Sequence, residues 1–535
     1  MRGAVSCLLV LLAAAFAPGV AAAAPRQASE AEAIRAANRD SKVVDQRAEN
    51  GPLAPVANLE DGNWEVAYFV AGEQVALAIV GRDSGEVEES WTGYQVAWKM
   101  ARGYSGSFGH KLNAPYVFLP LCALFLLGLV DWRRLWRVAN LDLLVLLGFG
   151  VSHFFFNRAE IGISVPLQYP VLLYLLGRAL WIGFRGRGAG LRPVWPVAWM
   201  LVAALFLMGF RVGLNLADSG AIDVGYASVV GADRVTHGEP IYDNFPEDVS
   251  QGDTYGPVNY YAYVPFELIW PWSGSWDDLP AAHGAAVGFD LLAFGFLILL
   301  GIRIRPGPAG RRLAATLAFG WAAYPYTAFA LESNSNDTLV AALLVAILLL
   351  LARPAARGAA AALATFAKFA PALLAPMLLT YESRRRPILC FALGFGAVSA
   401  AVMLWPAIDP GLQTVYDRTI AYQSGRDSPF SIWGQVPSLE PLRIAILAGT
   451  AALSLLLAFR PRRKSLVQVA ALGAALLIAL QLTMQHWFYL YIVWFYPLFL
   501  VAMSSLEAGP IPLGTSCTSR LSEPRTAAVR PTRAS

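Results

Sequence analysis

The polar segment of residues 218–263 carries the residue types that could do chemistry. It lies between long apolar stretches and contains two carboxylates, Asp218 and Asp223, with Tyr226 three residues after the second. A carboxylate in a partly dehydrated place has a raised pKa and can take a proton from an attacking hydroxyl group. Asp223 is therefore the first candidate for a general base, and Asp218 is the second. The alternative is that Asp223 caps the helix that runs toward His237.

The composition places this segment in a membrane protein. Of the 535 residues, 56% are hydrophobic and only 15% are charged, and the mean hydropathy is +0.49. A chain this apolar cannot hide its hydrophobic residues in a water-soluble core. The net charge of +4 does not indicate nucleic-acid binding, because Lys and Arg in membrane proteins report the orientation of loops. The predicted architecture is an all-α polytopic membrane protein with roughly 11 to 13 transmembrane helices.

The spacing of apolar stretches and arginines predicts which loops share a side of the membrane. Each crossing needs about twenty apolar residues. Such stretches lie near residues 114–131, 139–156, 164–184, 194–213, 283–302, 313–331, 337–352, 387–406, 441–459, 465–483 and 488–504. Arginine clusters lie at 133–137, 185–192, 303–312, 353–357, 384–386 and 460–463. By the positive-inside rule these clusters are cytoplasmic, so the acidic loops face outward from the plasma membrane.

Residues 359–380 do not fit this simple alternation. They are apolar, contain Lys368 and have basic residues close to both ends. A hairpin of two half-length helices that meet near Lys368 and Pro371 keeps the later loops on their predicted sides. The alternative is one tilted helix with a lysine that reaches the interface, which would reverse those sides. We predict the hairpin, and a lysine on it is costly enough to indicate a function.

Other regions complete the predicted organisation. Residues 1–24 have the basic start, apolar run and small residues of a cleaved signal peptide. Residues 25–110 predict an extracytoplasmic α+β module, since Ser29 and Glu32 form a capping box and apolar residues alternate from Trp64 onward. The remaining predicted regions are additional transmembrane helices in 111–192, the main membrane domain in 193–504 and a disordered cytoplasmic tail in 505–535.

Several short motifs, taken in their order, resemble the integral-membrane GT-C glycosyltransferases of the polyprenyl-phosphate-mannose-dependent type, family 87. They lie within about residues 194–504 and read AIDVGYASVVGADRVTHGEPIYD, YGPVNYY, SNSND, ALATFAKFAPALLAPMLL, SGRDSPFSIWG and HWFYLYIVWFYP. In addition, the stretch WEVAYFVAGEQVALAIVGRDSGEV with its preceding helix resembles a PepSY domain. The three spans of residues 114–184 precede the usual start of such an enzyme, which leaves their role open.

The resemblance implies an inverting transfer of a sugar, mannose in this family, from a polyprenyl-phosphate donor to a hydroxyl of a lipid or glycan acceptor. Asp223 stands where the family has its base. Charge on the departing phosphate must be stabilised, for which Lys368 is the first candidate, followed by Arg426, Arg418 and His486. Further expected contacts to substrate come from Tyr226, Tyr255, Asn334, Asn336 and Gln485.

Simpler roles exist for some of these side chains. Arg418 is more simply a solvated loop charge. His486 could be an interfacial histidine in the aromatic belt formed by its neighbours. Asp337, which opens a helix after SNSN, is most simply a helix cap.

The sequence also excludes several chemistries and leaves two other functions open. It has no Walker loop, dinucleotide fingerprint, zinc spacing, serine-hydrolase elbow or DxD pair, so we expect no metal and no cofactor, with the lipid-linked sugar as a substrate. Membrane lipids are expected partners, and the N-terminal module could bind a protein. A transporter or lipid flippase would also place charges in the membrane. A sensor or assembly factor would use the N-terminal module.

Overall fold

The computed structural model describes residues 27–60, 62–70, 73–97, 110–243, 245–246, 249–274, 276, 279–426 and 428–504. The predicted signal peptide and cytoplasmic tail lie outside these residues. The chain divides into two compact units, Met1–Arg102 and Gly103–Ser535. The first is a small α+β unit and the second is helical, as the sequence predicted.

The N-terminal unit is an antiparallel meander in the order β1-β2-β3-β4. Its elements are α1 (Glu30–Ala37), α2 (Ser41–Asn50), β1 (Ala54–Glu60), β2 (Asn63–Val70), β3 (Glu73–Gly81), β4 (Val87–Thr92) and α3 (Tyr94–Ala97). The predicted capping box is present, because the Ser29 backbone N–H donates to Glu32 Oε2 at 2.9 Å. Alternate strand residues such as Val66 and Tyr68 share a buried core with Ala33 of α1. The period-2 alternation therefore has its expected cause, a sheet with one covered face.

The second unit contains the helices of the membrane region. Its first half comprises α4 (His110–Asn113), α5 (Pro115–Leu129), α6 (Val138–Leu147), α7 (Phe149–Phe156), α8 (Ile161–Arg185), α9 (Val197–Asp218), α10 (Asp223–His237) and α11 (Pro257–Glu267). Its second half comprises α12 (Pro280–Ile304), α13 (Gly307–Ala323), α14 (Pro325–Glu332), α15 (Asp337–Leu349), α16 (Pro354–Ala367), α17 (Ala375–Leu379), α18 (Arg385–Pro406), α19 (Leu412–Tyr416), α20 (Tyr422–Gly425), α21 (Ile432–Gln435), α22 (Glu440–Phe459), α23 (Leu466–Gln481) and α24 (Ile492–Met503).

Helix lengths agree with a polytopic membrane protein. Among the described residues, 6 helical segments are long and apolar enough to cross a membrane. They are Val138–Phe156, Ile161–Arg185, Val197–Asp218, Pro280–Ile304, Arg385–Gly425 and Pro437–Phe459. The other predicted spans contain shorter apolar helices. The span predicted at 313–331 is interrupted, because one helix ends at Ala323 and a new one begins at Pro325. Proline lacks the N–H that would continue the helical bonding, and it pushes Tyr324 out of the helical region.

Residues 359–380 form the hairpin that the sequence predicted. Helix α16 ends at Ala367, and Lys368 has an extended backbone at φ −142° and ψ 132°. The chain returns through a 3-10 turn (Ala370–Leu374) and α17. Near the base, Arg357 lies 3.9 Å from Glu382 and over the ring of Tyr381. The two arms therefore meet at the base, and Lys368 lies at the turn.

Candidate functional site

Asp223 is the first residue of α10, and its position is fixed by the turn before α15. The backbone N–H of Ile222 donates to the carbonyl oxygen of Ser333 at 3.1 Å. A Cβ atom on Gly225 would lie 2.3 Å from the carbonyl oxygen of Asn334, so only glycine permits this close approach. The Asp223 carboxylate accepts from the Val224 N–H at 2.9 Å, and the N-cap residue of the helix is Ile222. Asp223 is therefore not an ordinary N-cap, which would bond to the N2 or N3 amide.

The surroundings of the Asp223 carboxylate combine solvent exposure with nearby charged groups of the protein. Its side chain has exposed surface although protein surrounds it. This loss of bulk water raises the pKa of Asp223 above that of an ordinary Asp, while the positive charges of Arg426 and Lys368 partly lower it. Such an environment favours a carboxylate that can accept a proton and release it again.

Lys368 is paired with a buried carboxylate. Its Nζ donates to Asp337 Oδ1 at 2.6 Å, and the two side chains are 8% and 0% exposed. The indole Nε1 of Trp494 donates to the same oxygen at 2.7 Å. Asp337 Oδ2 is buried and has no hydrogen-bond partner among the described residues. A buried ion pair is stable only when its hydrogen bonds have good geometry, and Asp337 Oδ1 accepts two short hydrogen bonds.

Three aromatic rings surround the Lys368 ammonium group. The distances from Nζ to the ring centroids are 5.5 Å for Tyr255, 5.4 Å for Tyr491 and 5.1 Å for Trp494. Ring faces at this distance stabilise a cation. Gly256 allows the loop of Tyr255 to reach the hairpin, because a Cβ atom there would lie 2.0 Å from the carbonyl oxygen of Phe366. Two separate segments, the loop of Tyr255 and the stretch that carries Tyr491 and Trp494, thus meet at the hairpin turn.

Arg426 and His486 complete what we call the central cluster. Its members are Asp223, Tyr255, Asp337, Lys368, Arg426, His486, Tyr491 and Trp494. Arg426 interacts electrostatically with Asp223, Tyr255, Tyr491 and His486. The pKa of His486 is lowered by burial first and then by Arg426 and Lys368, so its ring is neutral near pH 7. His486 Nδ1 lies 2.9 Å from Ser428 Oγ. The cluster thus combines two cations, two carboxylates and a neutral imidazole.

Asp218 and Arg418 are engaged elsewhere. Asp218 lies 3.2 Å from Lys111 Nζ at the end of α9. Arg418 Nε donates to Asp253 Oδ2 at 2.6 Å, and the carboxylate it binds is fully buried. The Arg418 Nη2 atom donates to the carbonyl oxygen of Ser250 at 2.6 Å. The Arg418 guanidinium group thus binds the 250–253 turn and is not a freely solvated charge, while its predicted role as a phosphate ligand stays a prediction.

The side chains of Tyr226 and Asn334 are buried and contact other residues of the protein. The Tyr226 ring is 1% exposed and stacks on Trp276 with a centroid distance of 4.6 Å. Asn334 Oδ1 accepts from Asn215 at 2.8 Å, and its Nδ2 donates to Ser219 Oγ at 3.0 Å. Both side chains are thus buried and have partners within the protein, and their predicted substrate contacts stay predictions.

Asn336 and Gln485 have different surroundings. Asn336 is 1% exposed, and its Nδ2 donates to Asn259 Oδ1 at 2.6 Å. Its Oδ1 has no hydrogen-bond partner among the described residues, and its predicted sugar contact stays a prediction. Gln485 is half-buried beside His486, and its Oε1 has no hydrogen-bond partner within the described chain. Its predicted role stays a prediction.

The sequence reasoning missed Asp337, Tyr491 and Trp494. Asp337 was assigned to a helix cap, but the cap residue is Asn336 and neither forms a side-chain cap bond. A signal was present, since Asp337 opens an apolar helix and a carboxylate there is costly without a cation. Tyr491 and Trp494 belong to an aromatic run that was interpreted as an interfacial belt. Among the described residues, no group of three or more His, Cys, Asp or Glu is placed to hold a metal ion.

The fold and the cluster define a polytopic α-helical membrane protein with a cluster of charged and aromatic side chains. No protein-family profile matches the chain, and no curated protein matches it. Among solved structures, the chain is similar to ArnT from Cupriavidus metallidurans bound to undecaprenyl phosphate, at 14% sequence identity and a TM-score of 0.39. The similarity covers 57% of this chain and 59% of that chain, so this chain spans about three fifths of that structure's length. We assign neither activity nor family from a likeness of this degree.

Proposed function

We propose that the protein is a GT-C-type membrane glycosyltransferase that moves a sugar from a polyprenyl-phosphate donor to an acceptor hydroxyl on the outer face. The observation that carries this proposal is the central cluster, in which the carboxylate of Asp223 lies within electrostatic range of the cations Lys368 and Arg426. A base and a cationic site for a leaving phosphate are the two requirements of such a transfer. The motif resemblance supports mannose as the sugar.

Asp223 supplies the base. As the acceptor oxygen forms its bond to the anomeric carbon, its proton passes to the Asp223 carboxylate. The bond from that carbon to the phosphate oxygen breaks, and its electron pair leaves with the polyprenyl phosphate. A single displacement of this kind inverts the configuration at the anomeric carbon. The raised pKa of Asp223, caused chiefly by burial, suits proton transfer better than that of a solvated Asp.

Lys368 and Arg426 stabilise the departing phosphate. A lysine has three N–H donors and one of those of Lys368 goes to Asp337, which leaves two for phosphate oxygens. Arg426 adds a planar fork that matches two phosphate oxygens. His486, neutral because of burial and the nearby cations, can donate a hydrogen bond without adding charge. Asp337 fixes the direction of Lys368, so that the ammonium group is oriented before the donor binds.

Purified protein in lipid vesicles provides the test. Polyprenyl-phosphate mannose with a labelled sugar is added together with a lipid and glycan extract as the source of acceptor. We expect label to pass to a new product, with release of polyprenyl phosphate. Failure to move label from this donor, and from donors with other hexoses on the same lipid phosphate, would reject the proposal.

A further inference from the structure

Helices α5–α8 precede the region that resembles a glycosyltransferase, yet they bind one of its loops directly. The Tyr489 hydroxyl lies 2.7 Å from Ser152 Oγ of α7 and 3.0 Å from Ser164 Oγ of α8. Each serine hydroxyl donates to the backbone carbonyl of the other serine, at 2.7 Å and 2.9 Å. Both serine hydrogens are thereby used, so the tyrosine must be the donor to the serine oxygens.

The ring of Tyr489 is fixed as firmly as its hydroxyl group. His153 of α7 stacks on it with a centroid distance of 4.3 Å and an interplanar angle of 20°. Phe156 meets its edge at 5.7 Å, and Tyr326 stacks at 5.9 Å. The ring is 2% exposed. A side chain with this many partners has one orientation, and it fixes the backbone that carries it.

That backbone belongs to a segment that contributes to the central cluster, residues 486–494, which we call the strap. Tyr489 begins a 3-10 turn that ends at Tyr491, whose ring lies 5.4 Å from Lys368 Nζ. His486 lies three residues before Tyr489, and Trp494 binds Asp337. The strap thus has Tyr489 bound to α7 and α8, while Tyr491 and Trp494 contact Lys368 in the central cluster.

The loop after Arg426 is held by the same helices. The Ile432 N–H donates to Tyr169 Oη of α8 at 3.1 Å. Phe156 packs on Phe430 at 5.9 Å, and Phe430 meets the ring of His486 at 5.3 Å. Helices α7 and α8 therefore support two of the segments that bring candidate phosphate ligands to the site, the loop after Arg426 and the strap with His486.

We propose that Tyr489 is a positioning residue through which α7 and α8 hold the strap, so that the aromatic wall around Lys368 fits the donor phosphate. This inference rests on the proposed function and assigns a role to the additional helices. It predicts an effect on donor affinity, because the strap forms part of the binding wall and carries no base. The proton transfer at Asp223 is unaffected.

Three variants separate positioning from general support. Tyr489→Phe removes the hydroxyl, and the double variant Ser152→Ala with Ser164→Ala removes its partners but keeps the ring. Tyr324→Phe is the matched control, because Tyr324 is also fully buried and donates to a carbonyl of the additional helices, Leu146, at 2.9 Å. For each variant we would measure thermal unfolding, kcat, the donor KM and the affinity for undecaprenyl phosphate in detergent micelles.

Tyr489→Phe and the double serine variant, which we call the strap variants, should each raise the donor KM and weaken undecaprenyl phosphate binding by about tenfold. This is the effect of about one lost hydrogen bond. Their kcat should stay within about twofold of that of the parent. Tyr324→Phe should change neither quantity. Strap variants with the donor KM and phosphate affinity of the parent would overturn the inference, whatever happens to their melting temperature or kcat. A parent that neither transfers sugar nor binds undecaprenyl phosphate would instead reject the proposed function.

Discussion

Lys368 Nζ lies 2.6 Å from Asp337 Oδ1, so the lysine at the hairpin turn has a protein carboxylate as its resting partner. Buried pairs of this kind contribute little net stability, because removing two charges from water offsets their attraction. Replacement by apolar residues would often be neutral for stability. Under the proposed function, the pair keeps the Lys368 side chain at the hairpin turn, where the donor phosphate would bind.

The first prediction concerns this pair. Lys368→Met and Asp337→Asn should each lower the free energy of unfolding by about 3 to 5 kcal/mol, because each leaves one buried group without its partner. The combined variant should recover most of that loss but no transfer activity. Thermal unfolding in detergent, with activity assays alongside, measures both. Losses that simply add in the combined variant would show that the two side chains do not act as a pair.

Arg426→Gln should change the pH dependence of transfer. The guanidinium charge lowers the pKa of Asp223, opposing the larger effect of burial. Without that charge the anionic form is less favoured, so the pKa rises and a higher pH is needed to obtain the base. The acidic limb of kcat, measured with saturating donor, should move to higher pH. If the acidic limb stays in place or moves to lower pH, the charge of Arg426 does not lower the pKa of Asp223.

The side of the membrane on which a loop lies can be measured by introducing single cysteines into a variant that lacks the native cysteines. Thr236 is exposed in α10, and Arg462 is exposed in the loop between α22 and α23. From the arginine distribution, Thr236→Cys should react with an impermeant thiol reagent outside intact cells, whereas Arg462→Cys should react only after the cells are opened. The reverse pattern would place the central cluster on the cytoplasmic face and remove the reason for a lipid-linked donor.

Features encoded locally could be predicted from the sequence. The capping box at Ser29, the helix that begins at Asp223 and the hairpin around Lys368 follow from neighbouring residues and from arginine positions. The hydrophobic length of residues 313–331 predicts a span, but it does not show that the helix is interrupted at Pro325.

The site could be predicted only in part, because its pairs join distant parts of the chain. Lys368 and Asp337 are 31 residues apart, and Arg418 and Asp253 are 165 apart. Nothing near Asn334 shows that its polar side chain is turned inward and satisfied by Asn215. The sequence thus predicts Asn334 and Asn336 as substrate ligands from the predicted side of their loop, but it does not show that the loop itself is buried.

The central claim is that Asp223 is the base of a transfer from a lipid phosphate, and one paired measurement tests it most directly. Asp223→Asn keeps the shape of the side chain but removes the proton acceptor, so turnover should fall by at least about 100-fold. Binding of undecaprenyl phosphate should stay near that of the parent, and Asp218→Asn, the matched control at the Lys111 pair, should keep most activity. An Asp223→Asn protein that transfers sugar at close to the parental rate would contradict the account.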